Sequence, residues 1–436
     1  MHKGFWTLLP VGMMLFSSFF GAGNLIFPPA LGQAAGSNLW GSLLGFLITA
    51  VGMPLLGIAA VALIGKDNPD ALGERVHPLY ARAVTILVAL TMGPFFAVPR
   101  TGAVSFDMGL RNFLPAEYQF VGSIAYSLVF FLLTYYLSVN PQKIVAWVGK
   151  VLTPLLLLTL AILVVCALVE PMGAFQAPVG TYATAPFFKG FQDGYLTMDL
   201  LAALLFGGMV VEAIRGLKVV SEEELPKICI YAGLIAGAFL SAIYIALAYM
   251  GACSVSVLGV SPNGGIALAQ MAYFYLGQYG SIVLGLVVFL ACLTTSIGVT
   301  ASCSSYFVKV SGDRVQYERF VLAICLFSCG VANAGLTKII AFSIPVLCAM
   351  YPIIIALIAL AFARPLFNNS KAVYRGCLFF TTLYSIFEGL SVAGVHNAAL
   401  EQFFTAYLPL FTVGFGWLTP MVGGAVLGWI YAKCRN

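Results

Sequence analysis

The chain has 436 residues, of which 61 % are hydrophobic and only 8 % charged, with a net charge of +5 and a mean hydropathy of +0.99. A soluble domain carries about 25 % charged residues, so this composition excludes a soluble enzyme and a nucleic-acid-binding domain. It belongs to an all-α integral membrane protein that has little mass outside the bilayer. The ten cysteines form no C-x-x-C pair and lie mostly in apolar segments, where they read as small buried hydrophobes.

Apolar segments of membrane-spanning length recur along the chain. About twelve are expected, over residues 5–31, 39–64, 79–107, 119–138, 143–169, 188–214, 227–252, 276–308, 317–334, 338–362, 374–394 and 404–432. The first is too long for a cleaved signal and has no small-residue cleavage site, so it is expected to stay in the membrane. With an even number of spans, both termini share a side. That side would hold 17 of the 21 lysines and arginines, among them Lys66, Lys143, Lys218 and Arg314. The other side would hold Arg111, Lys189 and Lys338, while Arg100 lies within a span. By the positive-inside rule the termini are cytoplasmic.

The first span is interrupted by Ser17-Ser18-Phe19-Phe20-Gly21-Ala22-Gly23-Asn24 and followed by Phe27-Pro28-Pro29. Glycine weakens a helix by about 1 kcal/mol relative to alanine, and Asn24 would carry an amide into hydrocarbon. One reading is a helix broken at mid-membrane. Its exposed N–H groups suit a carboxylate and its exposed carbonyls suit a cation. The other reading is a small-residue contact between packed helices.

In the third span, Pro99-Arg100-Thr101-Gly102 and Asp107 place two ionisable groups seven residues apart on one helix face. Such groups are functional candidates, or a snorkelling or structurally paired arginine and a solvated aspartate near the outer end. The sixth span carries Gly194-Tyr195-Leu196-Thr197-Met198-Asp199 and then Phe206-Gly207-Gly208. Asp199 is the deepest acid, suited to a substrate ammonium, a cation or a proton. The break in this span falls either at Thr197–Asp199 or at Phe206–Gly208.

Glycine-interrupted segments at matching positions of two halves point to a transporter's central site. Five spans per half makes the repeat inverted. This predicts a first repeat over 1–169, a second over 170–362, and two added helices over 363–436. The eighth span has three consecutive hydroxyls at Thr294-Thr295-Ser296 after Ala291-Cys292-Leu293. With carbonyls from a broken helix they would give about five oxygens and no carboxylate, a set that suits a monovalent cation. Alternatively the hydroxyls bond back to their own helix. Glu388 lies outside the repeat, and Glu212 and Arg215 are expected at the inner interface. No catalytic pattern such as G-x-S-x-G, H-E-x-x-H or a P-loop is found.

Taken together and in this order, Gly21-Ala22-Gly23-Asn24, Phe27-Pro28-Pro29, Pro99-Arg100-Thr101-Gly102, Gly194-Tyr195-Leu196-Thr197-Met198-Asp199 and Ala291-Cys292-Leu293 give the chain its likeness. It resembles the bacterial branched-chain amino acid carriers, cation symporters of the amino acid–polyamine–cation superfamily, over essentially its whole length. The resemblance implies a 5+5 inverted-repeat fold with broken first and sixth spans. It implies one sodium site from the carbonyls of Ser17, Phe20 and Ala291 and the hydroxyls of Thr294 and Thr295. A second cation site would use the Phe19 carbonyl and the Asn24 side chain. The amides of Ala22 and Gly23 would hold the substrate carboxylate. Thr197, Asp199, Phe206 and Gly207 complete the expected substrate site, with Arg100 and Asp107 as further candidates. The expected activity is import of leucine, isoleucine and valine with Na⁺ or H⁺ across the bacterial inner membrane, without an organic cofactor, nucleic acid or obligatory protein partner. The alternatives are a symporter for another small apolar amino acid, or a membrane-embedded enzyme or non-transporting subunit.

Overall fold

The structure is a computed structural model that describes residues 2–64, 69–139, 144–216 and 225–435. Every regular element among them is helical. That follows from the solvent, because a backbone in hydrocarbon must satisfy its own N–H and C=O groups. In chain order the helices are α1 (His2–Phe19), α2 (Ala22–Ala35), α3 (Leu39–Leu47), α4 (Met53–Ile64), α5 (Pro78–Leu90) and α6 (Ala97–Gly109). Then come α7 (Gln119–Val139), α8 (Ile144–Val169), α9 (Thr181–Thr184), α10 (Pro186–Asp193), α11 (Asp199–Gly216) and α12 (Leu225–Leu258). The chain ends with α13 (Gly264–Ser311), α14 (Tyr317–Ala332), α15 (Leu336–Ala363), α16 (Lys371–Val392), α17 (Ala398–Tyr407) and α18 (Leu418–Arg435).

Among the described residues helix covers the expected apolar segments, several of them with interruptions. By length and hydropathy alone, six helical stretches among the described residues are long and apolar enough to cross a membrane. The first span is cut into α1 and α2, with Phe20 and Gly21 non-helical between them. The sixth is cut into α10 and α11 by a tight turn over Gly194–Thr197. Two further irregularities escaped the sequence reading. The second span widens to a π turn over Ile48–Gly52. The third does so over Thr91–Phe95, where Gly93 leaves helical geometry just before Pro94.

Two expected boundaries need correction. The eighth span belongs to a longer helix that starts at Gly264 and kinks at Gly277, where φ is +64°. The twelfth is shorter than 404–432: residues after α17 turn through Leu410 and Gly414, both at positive φ, and membrane-length helix resumes only at Leu418. Pro409 and the glycines at 414 and 416 break that segment, and its high hydropathy hid the break. Lys66, Lys143 and Lys218, on which the orientation partly rests, lie outside the described residues, as do the side chains of Glu212 and Arg215.

Small residues set the closest contacts around the centre. A Cβ on Gly32 of α2 would lie 2.0 Å from the Ala248 carbonyl oxygen of α12, and one on Gly251 would lie 2.2 Å from the Pro29 carbonyl oxygen. The two backbones therefore touch along this seam, as membrane helices do where dispersion alone draws them together. α1 also packs on α12, and α13 packs on α2, α6 and α8, so both halves of the first span lie inside the bundle. α16 and α18 pack mainly on each other, with α15 behind α16.

Overpacking a core commonly costs about 1–3 kcal/mol, and here the obstacle is main chain, which cannot rotate away. Gly32→Val is expected to lower the thermal midpoint of the detergent-extracted protein by several degrees. Gly298→Ala, where an added Cβ meets nothing within 4 Å, is expected to leave it unchanged or raise it. Equal midpoints for the two variants would contradict the seam.

Candidate functional site

The first break is held open by Asn24. Its Oδ1 accepts from the Gly21 N–H at 2.9 Å, a cap on α2 made within one turn. Its Nδ2 donates to Asp199 Oδ2 at 2.7 Å and to the Tyr244 hydroxyl. Tyr244 in turn donates to Asp199 Oδ2 at 3.3 Å. Asn24, Tyr244 and Asp199 are almost wholly buried. One amide thus ties the first break to the sixth span and to α12.

The second break lies at Gly194–Met198. Met198 adopts the left-handed conformation at φ +63°, and α11 begins at Asp199. Of the two positions the sequence left open, this is the Thr197–Asp199 one; Phe206 and Gly207 lie within α11. The Thr197 hydroxyl donates to the Gly194 carbonyl at 2.9 Å and accepts from the Asp199 N–H at 3.4 Å. The carbonyls at the end of the first half face Arg100. Its Nη1 donates to Leu196 O at 2.6 Å and its Nη2 to Thr197 O at 3.3 Å. The guanidinium lies over the Phe27 ring, 5.1 Å from its centroid. Arg100 is 4 % exposed and its Nε has no hydrogen-bond partner. A buried snorkelling arginine is ruled out by this geometry.

Between the breaks is a cavity of about 30 Å³. Each water needs about 10–15 Å³ on this measure, so the space takes about two waters and no amino acid without movement of its walls. Phe19, Ala22, Gly23, Asn24, Arg100, Thr197, Asp199, Phe206 and Thr295 of the expected site all line it. Met92, Ala97, Met198, Ala202 and Val299 join them. Gly207 does not: it faces Val61 of α4, whose side chain would stand 3.1 Å from an added Cβ.

The hydroxyl triplet divides. Thr295 lies against Gly21, where an added Cβ would meet its Oγ1 at 3.2 Å. Its hydroxyl donates to Ala291 O at 3.0 Å, which leaves oxygen lone pairs for a cation. Thr294 is not in the cavity lining; it donates to Ala291 O at 2.8 Å and to Leu290 O at 3.2 Å. Ser296 accepts from Thr134 of α7 at 3.3 Å. The Ser17 and Phe20 residues stand at the end of α1, Ser17 exposed and Phe20 buried. Among the described residues, no group of three His, Cys, Asp or Glu could hold a metal.

Of the two readings of Asp107, the solvated one does not hold. The residue is 4 % exposed, accepts from Arg111 Nη1 at 2.9 Å and from Asn263 Nδ2 at 3.2 Å, and sits away from the cavity. Asn263 reaches on to Thr337 of α15 at 3.3 Å. These bonds clasp α6, the start of α13 and α15 together. Glu388 lies elsewhere, in a separate cavity of about 390 Å³ that Lys189 and Asp193 also line. Tyr244 was missed by sequence reasoning, although a phenol near the middle of an apolar span is a polar group in need of partners.

Residues 6–435 match the profile of a family described as branched-chain amino acid transport protein. The chain belongs to that family. It is 45 % identical over 429 residues to the branched-chain amino acid permease BrnQ of Bacillus subtilis, covering 98 % of this chain and 97 % of that one. It is 39 % identical over 428 residues to the branched-chain amino acid transport system 2 carrier protein of Pseudomonas aeruginosa, covering 98 % and 95 %. Against the solved structure of Mhp1, a nucleobase-cation-symport-1 family transporter in a closed conformation with bromovinylhydantoin bound, the TM-score is 0.63 at 13 % identity, covering 98 % and 92 %. Against MhsT in complex with L-phenylalanine it is 0.55 at 16 % identity, covering 98 % of each chain. The carrier therefore has the helical transporter fold of those structures. It is a multi-pass membrane transporter and not an enzyme.

At Gly23 the two breaks approach closely. A Cβ there would stand 2.7 Å from Arg100 Nη2 and 3.3 Å from both Arg100 Cζ and the Thr197 carbonyl oxygen. Gly23→Val is expected to abolish leucine uptake in whole cells while the protein still accumulates in the membrane fraction. Wild-type uptake by that variant would show that the approach of the two breaks is unimportant.

Proposed function

We propose that the carrier imports leucine, isoleucine and valine across the bacterial inner membrane by symport with a monovalent cation, its termini facing the cytoplasm. The observation that carries this reading is the meeting of two helix breaks at one buried cavity. There α2 presents its first N–H groups, and Asp199 opens α11 opposite. The first N–H groups of a helix have no partner within it and carry its positive dipole end. The substrate carboxylate belongs at Ala22 and Gly23, and its ammonium at Asp199. The family and the fold support transport of this kind, and residues 1–169, 170–362 and 363–436 serve as first repeat, second repeat and added helices. Phe19, Met92, Ala97, Ala202, Phe206 and Val299 give the cavity an apolar wall for a branched side chain.

One methylene in an apolar pocket changes binding by only about 1–3 kcal/mol. Excess leucine, isoleucine or valine should each block uptake of labelled leucine into cells, whereas lysine and glutamate should not. Strong competition by lysine would reject the apolar pocket and favour a carrier for a different amino acid.

Sodium is favoured as the coupling ion by Thr295, whose hydroxyl faces the first break beside the Ala291 carbonyl. Protons are favoured by Asp199, a buried carboxylate hydrogen-bonded across both breaks. Proteoliposomes given a Na⁺ gradient or a proton gradient in turn separate the two. With sodium, uptake follows the Na⁺ gradient and Thr295→Ala raises the Na⁺ concentration for half-maximal uptake by severalfold. Thr294→Ala does so less, because its hydroxyl is outside the cavity. With protons, uptake ignores Na⁺, follows pH, and loses its pH dependence in Asp199→Asn.

A further inference from the structure

We infer that Arg100 is the charged ligand of the substrate carboxylate, a built-in cation beside the first break. The inference rests on the reading of this cavity as the amino acid site. A guanidinium has five N–H donors and cannot be deprotonated in practice. Two hydrogen bonds of Arg100 go to the carbonyls of Leu196 and Thr197, and Phe27 covers one face of the group. No carboxylate is bonded to it among the described residues, and its buried Nε has no partner. A positive charge removed from water with only carbonyl acceptors around it is incompletely balanced. Asp199 acts on it only at longer range, since that carboxylate is engaged by Asn24 and Tyr244.

The missing partner has to be an anion that reaches the cavity, and a substrate carboxylate is one. Geometry puts the two together. Gly23 of α2 lies so close to Nη2 that a single Cβ would collide with it. The N–H groups that open α2 and the guanidinium therefore border the same space, and one carboxylate can use both. Arg100 also lines the cavity together with Phe19 and Asn24, the residues that the resemblance implies for a second cation. Asn24, the side chain expected to serve that cation, has its Oδ1 on the Gly21 N–H and its Nδ2 on Asp199 and Tyr244. The chain thus supplies its own positive charge at that point.

Because Arg100 also holds the first half of the sixth span, its loss could damage the fold as well as binding. The readout must therefore distinguish the two, and leucinamide does so: it keeps the ammonium and the side chain but carries a neutral amide in place of the carboxylate. Binding of leucine and leucinamide is measured on the purified full-length carrier by displacement of labelled leucine and by ligand-induced thermal shift. A charge-assisted hydrogen bond is worth a factor on the order of tenfold to hundredfold. The wild type should prefer leucine to leucinamide by at least that factor. Arg100→Gln should lose most of the preference by weakening leucine while leaving leucinamide nearly unchanged. Arg100→Lys, which keeps the charge but lacks the fork, should fall between. If the Gln variant does not accumulate, Arg100→Lys decides by the same ratio. An undiminished preference in the variants, or none in the wild type, overturns the inference. A wild type that binds neither compound instead overturns the reading of the cavity as an amino acid site.

Discussion

Cutting a helix inside a membrane leaves polar backbone with no water to turn to, and in this carrier each cut is satisfied by the other. Asn24 reaches from the first break to Asp199 at the second, and Tyr244 joins both from α12. Arg100 meets the carbonyls that end the first half of the sixth span. An unsatisfied polar group in hydrocarbon costs several kcal/mol, so neither break would persist without its neighbours. The site is therefore not an addition to a finished bundle. Asn24, Asp199 and Arg100, which stabilise the interruptions, also face the cavity.

The rest of the packing serves to keep those groups in register. Backbone contact at Gly32 and Gly251 fixes α2 against α12, which carries Tyr244. The Asp107–Asn263–Thr337 clasp holds the C-terminal end of α6, the helix that carries Arg100, to the start of α13 and to α15. These polar clasps lie in places where sequence suggested solvation or nothing at all. Within the clasp Asn263 Nδ2 finds its acceptors on α6 and α15, so each of its bonds fixes a distance between two rods.

Much of this was legible in the sequence because the bilayer permits so few solutions. Hydropathy and basic residues located the spans, and glycines beside a polar residue marked the first break. The second break was ambiguous between two motifs. What decides it is Met198, a residue with no preference for the left-handed conformation it adopts, so composition gave no signal there. The π turns at Ile48–Gly52 and Thr91–Phe95 were hidden for the same reason. The separate fates of Thr294 and Thr295 depend on which face of α13 meets Gly21, and adjacency in sequence does not specify that. Asp107 was left open between two readings because its partner Asn263 lies 156 residues away.

The 34 residues of α12 make a rod about 51 Å long at 1.5 Å per residue, against about 30 Å of hydrocarbon. It has no break of its own, yet it runs beside both halves of a span that has one. It grips both halves. α2 meets it main chain to main chain at Gly32 and Gly251, and a Cβ on Gly12 of α1 would stand 2.7 Å from the Ile235 Cβ and 3.1 Å from the Ala232 carbonyl oxygen. Neither a carbonyl oxygen nor a Cβ moves aside when a rotamer changes. The unbroken helix is thus a splint: the halves of the first span keep their alignment through a neighbouring rod and not through a hydrogen-bond ladder of their own.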